Sequence, residues 1–338
     1  MSHAAELADA LEDVDSLAVV CHDNPDPDCL ASALALERIA RSRDVEHVVI
    51  VYGGEISHQQ NRAFVNLLSI DVSHGDRIDI GDFEYVGYVD HSREGANTAI
   101  DDSVSPDAVI DHHPGERIQA SLTDVRTDYG ATATIFVEYL RELDIELTTR
   151  LATALLFALH RERLDFIREP TRAEYEAALS VYPDADLEVL EQLYGSAFTP
   201  ATIDAIGRAI QSRERRGSAL VASVGRTTET DALPQAADYL LNLEGVNTVL
   251  AYGLVSDAIR LSGRSIDPRV NVGETLETAY GTLGAVGGHY DMAGGRIDLG
   301  LFGDEPDSED ADELLSFVGR RIERRFFEQL NLDAGEES

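Results

Sequence analysis

Seven consecutive residues, His22-Asp23-Asn24-Pro25-Asp26-Pro27-Asp28, carry one imidazole, one amide and three carboxylates. Two further clusters mix the same groups: Asp90-His91 and Asp111-His112-His113-Pro114. Prolines at 25 and 27 favour an extended path, on which residues 22, 24, 26 and 28 share one face. Carboxylates brought together raise one another's pKa and repel. Divalent cations resolve that conflict, and mixed His/Asp shells suit Mn, Zn, Fe or Co better than Ca. A carboxylate shared by two ions about 3.5–4 Å apart is the arrangement used for hydrolysing phosphoesters. Asp23, Asp128 and the acidic run 303–313 read instead as surface acids of an acid-rich chain.

Each cluster closes a short apolar run. Residues 16–22, 47–53, 85–90 and 106–111 have the composition of buried strands, and Leu30, Ala33, Leu34, Leu36 and Ile39 follow helical spacing. Strands alternating with helices predict an α/β domain with a mostly parallel sheet flanked by helices. Its carboxyl edge, where such sheets bind ligands, would gather the clusters. From about Gly130 the pattern turns helical, with breaks at Asp144 and Thr148 and an N-cap at Thr171. The reading is a first domain over 1–197, a connector helix over 198–217, and a smaller α+β domain over 218–330 across a cleft. The second domain should hold strands at 218–224, 248–255, 258–264 and 297–302, helices at 233–243, 272–280 and 314–330, and a Gly-rich loop at 284–295.

Acidic residues number 63 and basic residues 27, all of them Arg, for a formal net charge of −36. Such a surface does not hold nucleic acid by general electrostatics in dilute buffer, and it avoids anionic membranes. Acidity without Lys is the composition of a halophilic protein, whose self-repulsion is screened in molar salt. The two cysteines, Cys21 and Cys29, imply no disulfide framework and fit a reducing compartment. Both read as buried packing residues beside the metal loop. The start lacks the apolar core of a signal peptide. The longest apolar run, Leu151–Leu159, is far short of a membrane span of about 20 residues. A cytoplasmic protein with no membrane partner is expected.

The spacing H-x-N-x-D-x-D, a lone strand-end Asp and then D-H-H resembles the DHH phosphoesterase family. The C-terminal half resembles the DHH-associated domain of its RecJ-like and oligoribonuclease/pAp-phosphatase branch, here of halophilic archaeal type. Gly287-Gly288-His289 matches that domain's Gly-Gly-His signature, and the resemblance runs over residues 15–303. It implies two divalent ions, Mn first with Mg or Co as alternatives. His22 and Asp26 would hold one ion, Asp28 and His112 the other, with Asp90 bridging both. His113 would sit beside the phosphate, Asp111 would orient an imidazole, and Asn24 would fix the loop or touch phosphate. Where the family usually supplies a fourth-motif Asp, this chain has Glu162, with Asp165 as a substitute and an unfilled position as the third reading. In the second domain, Arg264 would grip a phosphate or base, Gly287 and Gly288 would admit an anion to backbone amides, and His289 would contact phosphate. Tyr290 and Asp291 replace the small residues that often follow the His.

The implied activity is hydrolysis of short oligonucleotides, of 3'-phosphoadenosine 5'-phosphate (pAp), or both, by a two-metal-activated hydroxide. The partners would then be short single-stranded oligonucleotides or small phosphorylated nucleotides, and a homodimer is compatible with the sequence. Two alternatives stay open: a RecJ-like single-strand exonuclease, and a catalytically weak nucleotide-binding protein.

Overall fold

The computed structural model describes residues 2–56, 58–92, 105–114, 118–163, 165–167, 170–195, 199–288, 290–300 and 308–332. The chain divides into two compact units, 1–197 and 198–338.

The first unit is built on six strands: β1 (Ser16–Val20), β2 (His47–Tyr52), β3 (Val72–His74), β4 (Tyr85–Val89), β5 (Ala108–Asp111) and β6 (Leu122–Val125). They lie in the order β3-β2-β1-β4-β5-β6 and every pair is parallel. The central strands are near-continuous apolar runs because both sheet faces are covered. Leu17 and Val19 of β1 join one core, Ala18 and Val20 the other. Among the described residues seven helices flank the sheet: α1 (His3–Ala10), α2 (Pro27–Arg41), α3 (Gln59–Leu67), α4 (Thr132–Glu142), α5 (Thr149–Glu162), α6 (Arg172–Val181) and α7 (Leu187–Gly195). Their core residues join the cluster on one face, whereas the other face is lined by Ile78, Ile80, Phe83, Ile118 and Ala120. Helix α2 packs on α4 and α5, with Leu30, Leu36, Phe136, Leu140 and Phe157 in the larger core. The chain order reverses between β1 and β4, which opens a crevice at their carboxyl ends.

One local expectation fails here. The path from His22 to Asp28 is not extended throughout, because α2 already begins at Pro27. Asp26 is its N-cap, and one carboxylate oxygen accepts the backbone N–H of Asp28 (2.9 Å) and Cys29 (3.1 Å). Asp followed by Pro at the first helical position is a strong helix start, since proline's missing N–H is not needed there. Asn24 takes a left-handed conformation (φ 51°), so the side chains of 22, 24, 26 and 28 do not simply alternate.

The second unit comprises α8 (Pro200–Ser212), β7 (Glu214–Arg216), β8 (Ala219–Thr227), α9 (Ala232–Leu241), β9 (Thr248–Val255), β10 (Ala258–Ser265), α10 (Val272–Tyr280), β11 (Ala285–Gly288), β12 (Met292–Asp298) and α11 (Ser308–Gln329). Its mixed sheet has the order β11-β12-β10-β9-β8-β7, with β8 and β9 parallel and the other pairs antiparallel. Helices α8 and α9 pack on one face around Ala205, Ile206, Leu220, Leu233 and Ala251. Helices α10 and α11 pack on the other around Leu250, Leu261, Leu276, Tyr280 and Phe326.

The connector helix expected over 198–217 stops at Ser212, because residues 214–216 pair with β8 through a turn at Gly217 (φ 58°). The Gly-rich stretch expected as a loop is the hairpin β11–β12. Glycines there leave the ladder intact and remove only the side chains. The acidic segment 303–307 lies outside the described residues, and from Ser308 the chain is helical. Among the described residues no helix is long and apolar enough to cross a membrane.

Candidate active site

Asp90 ends β4 at the crevice. It is 2% exposed and left-handed (φ 62°), a conformation Asp tolerates better than most residues, and its N–H donates to Ile110 O at 2.9 Å. Three imidazoles converge on its carboxylate. His22 Nε2 stands 3.6 Å from Oδ2, and His112 Nε2 and His113 Nδ1 each stand 3.8 Å from Oδ1. Thr132, at the start of α4, donates its hydroxyl to Oδ1 at 2.7 Å. Burial alone would push the Asp90 carboxyl up, but His22, His113 and His112 outweigh it and hold the group well below the usual carboxylate range.

Backbone carbonyls orient two of these rings. His22 Nδ1 donates to Asp23 O (2.7 Å) and His112 Nδ1 to Tyr129 O (3.2 Å), which leaves Nε2 of each ring toward the carboxylates. His112 Nε2 is buried with no hydrogen-bond partner among the described residues, 3.8 Å from both Asp28 Oδ2 and Asp90 Oδ1. A buried imidazole nitrogen aimed at two carboxylates, with its other nitrogen held by a carbonyl, is the setting of a metal ligand. The residues therefore fit the divalent ions that the donor set implies.

Asp28 lies in the first turn of α2 and spans to α4. Helix α4 has no capping side chain of its own, and the two Asp28 oxygens accept the N–H groups of Thr132 and Ala133, each at 2.8 Å. A carboxylate at a helix N-terminus is favoured by the exposed amides and the dipole. Even so, burial and the charges of Asp90, Glu162 and Asp26 raise its pKa well above normal. Glu162, the last residue of α5, is raised to about 7 by burial, Asp26 and Asp90. These acids repel one another until a cation joins them. Asp165 faces elsewhere: it accepts from the Tyr194 hydroxyl and stands 3.3 Å from His160.

Asp111 is fully buried and organises the D-H-H segment. Its Oδ1 accepts the N–H of His112 (2.8 Å), the N–H of His113 (3.1 Å) and His113 Nδ1 (2.8 Å), while Oδ2 accepts the Ser92 hydroxyl (2.5 Å). Burial opposes protonation of His113, but its bond to Asp111 and the charges of Asp90, Asp111 and Glu162 prevail and raise it to about 9. These carboxylates favour the charged form of His113, whose side chain is 49% exposed. His91 differs: stacked on Tyr88 and bonded to Val89 O, it is lowered to about 4 by burial and stays neutral. Cys29 Sγ lies within 4.8 Å of ligand atoms of His22 and Asp90, but burial pushes its thiol up, and it donates to Val89 O.

In the second unit, Arg264 on β10 donates to Asp238 (2.7 Å), Ser262 Oγ (3.3 Å) and Gly263 O (3.0 Å). Gly287 pairs with Gly294, and a side chain added at Gly287 would meet nothing within 4 Å. Gly288 is different, since a Cβ there would stand 2.4 Å from Ala293 Cα. His289 lies outside the described residues.

Family models match both units: residues 16–159 match the DHH family, N-terminal domain, and residues 216–324 match the DHHA1 domain. The chain belongs to the DHH phosphoesterase family. An uncharacterized protein of Methanocaldococcus jannaschii is 36% identical over 87% of this chain and 60% of its own length. Cyclic-di-AMP phosphodiesterase PdeA of Listeria monocytogenes is 26% identical over 86% of this chain and 46% of its own. The chain thus spans about 60% or less of these relatives. An exopolyphosphatase-related protein from Bacteroides fragilis shares the fold over 96% of both chains, at a TM-score of 0.75 and 14% identity.

In this DHH protein, His22, Asp28, Asp90, His112 and His113 come together around one carboxylate. Asp26 and Glu162 are within electrostatic range of the same cluster, while Asn24 is exposed on the loop. Thr132 and Ser92 escaped the sequence reading. A lone hydroxyl before a helix is a common cap and carries no mark of a distant carboxylate.

Proposed function

We propose that this DHH protein is a metal-dependent phosphoesterase that hydrolyses short oligonucleotides, small phosphorylated nucleotides such as pAp, or both. The observation that carries the reading is the buried, unpartnered His112 Nε2, set between the carboxylates of Asp28 and Asp90. In this reading His22 and Asp26 hold one ion, Asp28, His112 and Glu162 hold the other, and Asp90 is shared. Mn suits this mixed imidazole–carboxylate set, with Mg or Co as substitutes. Two such ions, when bound, neutralise charge on a phosphoryl group and make water acidic enough to attack at neutral pH.

The chain's own residues do the rest. Thr132 and the three imidazoles fix Asp90, and the Tyr129 carbonyl fixes the tautomer of His112. His113, held protonated by Asp111, places a positive donor where charge develops on phosphate. Asn24 shapes the loop between the first ligands. Arg264, Gly287, Gly288 and His289 bind the remainder of the substrate. The likeness to PdeA, a cyclic-dinucleotide phosphodiesterase by its name, extends over most of this chain and supports a nucleotide substrate.

The test is Mn-dependent hydrolysis in molar KCl of a short oligoribonucleotide, pAp and long single-stranded DNA, with Asp90→Ala as control. Turnover of either small substrate, abolished in the variant, is expected. Preference for long DNA would replace this reading with a RecJ-like exonuclease, and binding without turnover with a nucleotide sensor.

A further inference from the structure

The sheet face that carries Arg264 carries a second arginine. Strand β10 pairs with β9 and β12 in unbroken register, so Arg260, Ser262 and Arg264 share one face. Directly opposite on β12 stand Arg296, Gly294 and Met292, and Gly287 of β11 stands opposite Gly294. On that side α8 lies over β8, and α9 lies over β9 and β10. Next to them, among the described residues, two glycines leave the backbone open: a Cβ at Gly287 would meet nothing within 4 Å, and one at Gly294 only Leu261 O at 3.6 Å.

Charge on this face is unevenly answered. Arg264 is paired with Asp238 (2.7 Å), and Arg296 with Asp257 (3.1 Å) and Asp298 (2.6 Å). Arg260 has no carboxylate partner among the described residues, and its Nε is buried without a hydrogen bond. It stands across the ladder from Arg296, where like charges repel. A guanidinium with no carboxylate among the described residues and a buried, unbonded Nε stands out in a chain with 63 acids to 27 bases, and an anion would complete it.

Resting on the phosphoesterase reading above, we propose that Arg260 is a second phosphate contact, so that this face holds the sugar–phosphate chain of a single strand and senses its length. Four residues of strand separate Arg260 from Arg264, roughly 13 Å at about 3.3 Å each. That is the reach of about two nucleotide units of an extended strand. Guanidinium forks suit phosphate, and the glycine strip lets the sugars lie against backbone. With the first phosphate on Arg264, as the family resemblance implies, a dinucleotide would engage that arginine alone and a tetranucleotide both.

The experiment measures binding of oligoribonucleotides of two to six nucleotides to the full chain carrying Asp90→Asn, with Mn present, over a range of KCl. Affinity should rise about tenfold between the dinucleotide and the tetranucleotide. Arg260→Gln should remove that increment, lower the slope of log K against log[KCl] by about 0.7 for the tetranucleotide, and leave dinucleotide binding unchanged. Arg260→Lys should restore the slope. Arg324→Gln, which removes an arginine paired with Glu328 on α11, should alter neither. If Arg260→Gln weakens every length equally, or leaves the slope intact, the track is wrong while the phosphoesterase reading stands. If the chain without substitutions neither binds nor hydrolyses any oligonucleotide, the phosphoesterase reading itself falls.

Discussion

Replacing Thr132 by Val tests whether the shared carboxylate depends on α4. Val keeps the volume and branching of Thr, so no cavity opens and only the hydroxyl is lost. That hydroxyl donates to Asp90 Oδ1 at 2.7 Å, and both residues are at most 2% exposed. A buried hydrogen bond to a charged group contributes about 1.5–3 kcal/mol, which corresponds to roughly 10- to 150-fold in an equilibrium constant. The backbone N–H of Thr132 still caps on Asp28, so the helix start survives. The loss should therefore appear mainly where Asp90 must hold its rotamer against an ion, as a 10–100-fold fall in metal affinity. Calorimetric titration of the protein with Mn would read it directly, beside kcat and KM for a dinucleotide. Thr132→Ser, which returns the hydroxyl, should recover most of the affinity. If Thr132→Val binds Mn within twofold of the parent, Asp90 is positioned without α4 and the account of this site is wrong.

Four other outcomes are expected. Gly288→Ala should lower Tm, because its Cβ would press on Ala293 Cα and Met292 O at 2.4 and 2.5 Å, a backbone clash of about 1–3 kcal/mol. Gly287→Ala meets nothing within 4 Å, so it should melt like the parent yet raise KM; equal melting of the two variants would refute the distinction. Asp124 is buried among Arg126, Tyr139 and His3. Burial pushes its carboxyl up, but Arg126 and Tyr139 prevail and hold it below the ordinary value of about 3.9. A depressed carboxyl stabilises the fold above its unfolded pKa, and that stability is lost as pH falls through the folded value. Asp124→Asn should therefore lower urea midpoints near neutrality and flatten their fall below about pH 4; parallel curves for parent and variant would count against this. With a net charge of −36, the fold should be lost when KCl is lowered from molar to millimolar, where screening weakens. Unchanged circular dichroism across that range would rule out self-repulsion as the limiting force.

Much of the site was legible because its signals are local. An apolar run that stops at an acid or an imidazole marks a strand's carboxyl end, and three such stops predicted one edge of a parallel sheet. The glycine and arginine positions of the second unit were legible as residue types. Their setting was not: 284–295 reads as a loop by composition, yet pairs as a hairpin whose two sides differ completely. The extended path predicted for 22–28 failed on a local competition, in which Asp26 and Pro27 make a better helix start than a strand.

The sequence by itself determined the donors, their clustering after strands, the acid excess and the family pattern. These follow from residue type and short-range spacing, which a chain carries before it folds. The family resemblance already pointed to Asp90 as the shared carboxylate, but only the tertiary structure decided how it comes to lie at the centre of three imidazoles. Asp90 does so because β4 sits between β1 and β5, bringing His22 to one side and His112 and His113 to the other. Packing likewise set Asp28 on the amides of α4, 104 residues away, and left Arg260 without a carboxylate partner among the described residues. Strand order and helix docking join residues far apart in the chain, and no local periodicity encodes that choice.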